Sequence, residues 1–123
     1  MDRRFIVTAA AWLEIVVGAL FLTVPDVPCS LLLAAKPEAL GVLLSRFVGV
    51  ALVALGIACL PSTNAGSRRS AVGLLVFNVG VTILFAWVGF TTTHGFLLWP
   101  VVILHATIAG ALVVHLLTKG WLC

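Results

Sequence analysis

Four apolar runs of about 20 residues set the terms on which this chain can fold. They cover about 5–24, 39–60, 71–90 and 96–117, and prolines, glycines or charges separate each from the next. At a rise of 1.5 Å per residue, a helix of that length is about 30 Å long, the thickness of a bilayer's hydrocarbon core. In lipid a backbone has to satisfy its own hydrogen bonds, which leaves helices and closed barrels. None of the four runs alternates polar with apolar residues as a barrel strand does. The sequence therefore predicts an all-α fold, an integral membrane four-helix up-down bundle, with residues 1–123 forming a single transmembrane domain. Composition agrees: 9% of residues are charged and 63% hydrophobic, where soluble domains carry about 25% charged residues.

The punctuation between the runs fits this reading. "VPDVPCS" (24–30) closes the first run with two prolines, and "KPE" (36–38) opens the second. Pro37 suits a first helical turn, and Glu38 sits well against the positive helix end. "SLLLAA" (30–35) is too short to cross and is expected at the interface. "PSTNAGSRRS" (61–70) reads as a polar loop, and "TTTHG" (91–95) is short enough to force an antiparallel hairpin. Pro100 falls in the first turns of the last run, where a kink is an open alternative.

Orientation follows from the basic residues. Arg3, Arg4, Arg68, Arg69 and Lys119 fall on one side of the bundle and only Lys36 on the other. The positive-inside rule then places both termini in the cytoplasm. The same bias accounts for the net charge of +3 and the pI near 9.1, so the expected partner is the lipid bilayer and not nucleic acid. "MDRR" before an apolar run resembles a secretory signal, but the acid inside the run and the missing small-x-small site predict retention. "DVPCS" lacks the small residue that precedes a lipoprotein cysteine.

That acid is Glu14, in "AWLEIVVGALFL" (11–22). On the insertion scale a central charge costs about 2.5–3.5 kcal/mol, and each Leu, Ile, Phe or Val returns about 0.3–0.6. Residues 5–24 hold eleven of these, enough to carry one acid. The expected partner is Arg46, about 10 Å from the outer end of its run where Glu14 lies about 15 Å deep. Asn78 and His105 bring polar groups to similar depth from the other two runs. Glu14, Arg46, Asn78 and His105 thus make a buried polar layer, one residue per helix and facing protein. Spacing places Glu14 on a stripe with Ala10, Ala11, Gly18 and Phe21, and Arg46 on one with Gly49, Val53 and Gly56. Two readings stay open: a layer that fixes helix neighbours, or a site for protons, an ion or a small headgroup.

Other chemistry is sparse. Cys29, Cys59 and Cys123 form no CxxC pair or metal-spaced cluster. His94 lies in the outer loop about 16 Å along the axis from His105, so one haem iron could not take both. His115 lies off that face near the cytoplasmic surface. No cofactor and no metal are expected. Trp99 and Trp121 sit at span edges where indoles anchor in the interface, and His94 and Trp99 are secondary site candidates. No nucleophile–base pair or phosphate-binding loop is present, so catalysis is not expected.

"LEIVVGALFLTVP", "SRFVGVALVALGIA" and "LLWPVVILHA" together resemble the small four-helix bacterial membrane proteins grouped around the DoxX-like families. That resemblance covers most of the chain. It implies an inner-membrane bundle, sometimes an accessory subunit of a redox system, and carries over no catalytic residues. The small multidrug-resistance exporters are also four-span proteins with a glutamate in the first helix. This chain departs from them, since Arg46 would compete with a cationic substrate and no tyrosine is present. The leading expectation is a non-catalytic accessory or interaction subunit, as a homo-oligomer or within a larger membrane complex. A proton-coupled transporter or binder using Glu14 and His105, and a lipid- or quinone-facing redox subunit, are the alternatives.

Overall fold

The computed structural model, described for residues 3–60 and 68–118, contains five helices. They are α1 (Arg3–Thr23), α2 (Asp26–Leu33), α3 (Ala39–Cys59), α4 (Arg68–Thr91) and α5 (Leu98–Thr118). Lys119, Trp121, Cys123, the loop at 61–67 and the side chains of Arg3 and Arg68 lie outside the described residues. Helices α1, α3, α4 and α5 coincide with the four apolar runs and are long and apolar enough to cross a membrane, with mean hydropathies between 2.1 and 2.3. Pro100 is the third residue of α5, where the missing N–H would have had no helical partner, and the helix runs on through it.

The outside of the molecule is apolar. Phe47, Trp87, Phe90 and Ile103 are among the large hydrophobics left exposed, while the buried set includes Glu14, Ser45, Asn78 and His105. Water would reverse that arrangement; lipid favours it.

Helices α1 and α3 pack most closely, and glycine sets the distance. A Cβ on Gly18 would lie 2.7 Å from the carbonyl oxygen of Gly49, and one on Gly56 would lie 2.6 Å from that of Ala11. Ala11 and Gly18 are seven residues apart, as are Gly49 and Gly56, so two small residues per helix meet in antiparallel register. Backbones this close gain van der Waals contact along their length, the main attraction between helices in lipid. At the far end of α3 the Cys59 thiol donates to the Ser70 carbonyl (3.8 Å), which sets the start of α4 beside the end of α3. A cluster of Ile6, Val7, Ala10, Ala11, Cys59, Ala71, Leu74 and Leu112 closes that end of the bundle with all four long helices.

Helix α2 is the element that the sequence did not predict as a helix. Its stretch reads as a proline break and an interfacial tail, but Pro28 is the third helical residue, where its missing N–H costs nothing. Pro28, Cys29 and Leu32 turn inward. Ala34 ends the helix with a left-handed φ of 53°, and its N–H bonds to the Ser30 carbonyl. The carbonyls of Leu31 and Leu32, left without helical partners, accept from the N–H groups of Leu97 (3.1 Å) and Gly95 (2.9 Å) in the α4–α5 loop. A Cβ on Gly95 would overlap the Leu31 carbonyl. Gly95→Ala is therefore expected to lift α2 from the loop and lower Tm by about 5 °C or more. Circular dichroism melts in mild detergent check this, with Gly110→Ala as the unaffected control because nothing lies within 4 Å of a Cβ there.

Candidate functional site

Three of the four expected polar residues occupy one region of the interior. Measured along each helix from the end cluster, Glu14 is four residues beyond Ala10, Asn78 four beyond Leu74, and His105 seven before Leu112. These steps are about 6, 6 and 10 Å of helical rise, so the three side chains fall in adjoining levels of the bundle. All three are buried: Asn78 is 0% exposed, Glu14 2% and His105 9%.

Asn78 and His105 join α4 to α5. The His105 Nδ1 lies 2.7 Å from the Asn78 Oδ1, and the Asn78 amide nitrogen donates to the Leu74 carbonyl at 2.7 Å. Since the nitrogen of that amide is engaged as a donor, Oδ1 is the acceptor and His105 carries a proton on Nδ1. The ring's Nε2 then presents a lone pair when the imidazole is neutral, and it has no hydrogen-bond partner among the described residues. Phe77 meets the imidazole edge-on, with centroids 5.9 Å apart, and holds the ring plane. The Thr82 hydroxyl donates to the Asn78 carbonyl at 2.7 Å, tying the next turn of α4 to the same residue.

Glu14 stands apart from this network. Its Oε1 is buried with no hydrogen-bond partner, the one such side-chain atom among the described residues. The expected Glu14–Arg46 pair does not form. The face of α3 that packs inward runs Ser45, Gly49, Leu52, Gly56 and Cys59, and Arg46, one residue or about 100° round the helix from Ser45, is exposed. The physical reason is close approach: the glycines fix which side of α3 meets α1, and Ser45, not Arg46, shares that side. Ser45 lies 3.3 Å from the Cys29 thiol, a link between α3 and α2 that charge pairing gave no cause to seek. The spacing Ser45–Gly49–Gly56 was the available signal. With no ion-pair partner among the described residues, the Arg46 guanidinium carries the mid-span insertion cost of about 2.5–3.5 kcal/mol.

The secondary candidates lie elsewhere. His94 Nδ1 lies 3.3 Å from the Thr92 carbonyl, and Trp99 stacks edge-on against Phe90 (5.1 Å) and His94 (6.2 Å). They form an aromatic cluster at the α4–α5 loop, with Trp99 six residues, or about 9 Å of helical rise, before His105. No group of three His, Cys, Asp or Glu side chains converges as a metal site among the described residues. An apolar groove of about 330 Å³ runs between α1 and α5, from Phe5 and Ala111 to Leu13 and Leu104. It ends one residue from Glu14 on one wall and one residue from His105 on the other.

What this level offers chemically is two acceptors, a carboxyl and an imidazole lone pair, with no ion pair recorded to the carboxyl among the described residues. Comparison with known proteins adds no relative: no family model, curated protein or solved structure matches this chain.

Proposed function

We propose that this chain is a non-catalytic membrane protein whose Glu14–Asn78–His105 level binds a proton or a small hydrogen-bond donor from the bilayer, a proton-coupled binder or transporter. The observation that supports it is the buried Glu14 Oε1 with no partner. Burying an ionised carboxylate alone is far more costly than burying it protonated or paired, so a proton or a donor from outside the chain completes the group. Asn78 has the positioning role: it holds the His105 ring so that Nε2, the acceptor, is the free nitrogen. The α1–α5 groove supplies a lipid-side approach. The bias of basic residues supports an orientation with both termini cytoplasmic, since Arg4 and Arg69 open α1 and α4 while Lys36 follows α2. The accessory-subunit reading belongs to the outer surface and not to this level.

Reaction with a hydrophobic carbodiimide in vesicles tests the proposal. The reagent partitions into lipid and attacks protonated carboxyls. Glu14 is expected to be modified, less so as pH is raised, and to be protected by an alkylammonium added to the membrane. Exposed Asp26 and Glu38 serve as internal controls. Labelling confined to those two, or labelling of Glu14 that ignores both pH and the alkylammonium, would defeat the reading.

A further inference from the structure

Arg46 poses the opposite problem to Glu14: a fixed cation on the outside of a helix long and apolar enough to cross the membrane. We infer that the outer face of α3 around Arg46 docks one transmembrane helix of a different protein, carrying an aspartate or glutamate at the depth of Arg46.

Position comes first. Arg46 is three residues from Gly49, the middle of α3, and so about 4.5 Å from the helix centre along the axis. Its Cα lies about 10 Å inside the helix start at Ala39. Headgroups occupy a further layer of about 5–7 Å beyond the hydrocarbon, whereas an arginine side chain of six bonds reaches roughly 7 Å from its Cα. A phosphate at its normal depth is therefore out of range, and a carboxylate at matched depth is the counter-charge that fits.

The face itself is shaped for a helix. Leu43, Val50 and Ile57 recur every seven residues, and they are 65%, 56% and 59% exposed. Arg46 falls three residues after Leu43, at the edge of this exposed stripe nearer α1, since Val53, the equivalent position one repeat on, packs against Gly18. Phe47, 74% exposed, flanks it.

The chain's own acids do not serve. Glu14 is buried on the inward side of α1, Asp26 and Glu38 stand at the ends of short connections, and Arg46 has no ion-pair partner among the described residues. Asp2, the fourth acid, lies outside the described residues and 12 positions before Glu14 in the sequence, and a second copy brings the same acids and adds another Arg46, which repels the first. Charge thus selects a partner other than this chain.

The test uses labelled leucine-rich transmembrane peptides with Asp, Asn or Leu at the depth of Arg46, with energy transfer to the labelled full-length protein in phosphatidylcholine vesicles. The Asp peptide is expected to bind about tenfold more tightly than the Leu peptide. Arg46→Leu should abolish that preference and Arg46→Lys should keep part of it, while both variants retain wild-type circular dichroism. Equal binding of the three peptides, or an Asp preference that survives Arg46→Leu, overturns the inference. So does an Asp preference that vanishes in vesicles containing phosphatidylglycerol while spin-labelled anionic lipid gathers at α3 in an Arg46-dependent way, because the counter-charge is then a phosphate. Glu14→Gln leaves all of these outcomes unchanged and so separates this face from the interior site.

Discussion

Gly56→Ala is expected to cost about 1–3 kcal/mol of stability, whereas Gly80→Ala is neutral or gains up to about 1 kcal/mol. The two substitutions add the same methyl group within a long helix. At Gly56 that methyl would sit 2.6 Å from both the Ala11 carbonyl oxygen and the Ile15 Cγ1 atom, and 3.1 Å from the Ile15 amide nitrogen. Backbone atoms cannot swing away as a flexible side chain can, so α1 and α3 have to separate along their seam. Separation forfeits dispersion contacts that lipid does not replace in the same geometry. At Gly80 nothing lies within 4 Å of the added carbon, and alanine's higher helix propensity is the remaining effect. Gly49→Ala should behave like Gly56→Ala, because its Cβ would meet the Gly18 carbonyl oxygen at 2.7 Å. Thermal or denaturant unfolding in one detergent, with the Gly80 variant beside the other two, checks the contrast.

The second large effect concerns sign. Glu14→Leu is expected to stabilise the fold by about 1–3 kcal/mol, the desolvation penalty of a buried polar group that finds no partner. Had Glu14 been ion-paired with Arg46 inside the bundle, the same change would strand the arginine and cost about 3–5 kcal/mol. The leucine variant should also lose the carbodiimide adduct at position 14 while its helix content stays at the wild-type level. Stability and function then move in opposite directions at one residue, as they do where a site is kept incomplete for a ligand.

Much of this architecture is legible in the sequence because bilayer thickness is a hard constraint. Residues 39–59 form α3 almost as the apolar run predicts, and the short "TTTHG" link does join α4 and α5 as neighbours. Glu14, Asn78 and His105 are buried as their depth implied. The errors have physical causes. At 26–33 the prolines read as a break, yet proline in the first turn of a helix loses no hydrogen bond, so α2 forms. At Arg46, opposite charge and matching depth suggested a partner for Glu14. Rotation about α3 is decided instead by Gly49 and Gly56, whose missing side chains admit α1. Shape outranked charge there: the glycine seam brings backbone against backbone from Ala11 to Leu22 of α1 and from Gly49 to Gly56 of α3, and the ion pair would have involved two side chains.

A double-mutant cycle between Glu14→Gln and Arg46→Leu tests most directly that the carboxyl is sheltered without a cation while the guanidinium faces outward. The predicted coupling energy in unfolding experiments lies within about 0.5 kcal/mol of zero, as for groups that do not touch. A coupling well above about 1 kcal/mol, with each single variant destabilised and the pair restored, would place the two charges against each other and contradict the account.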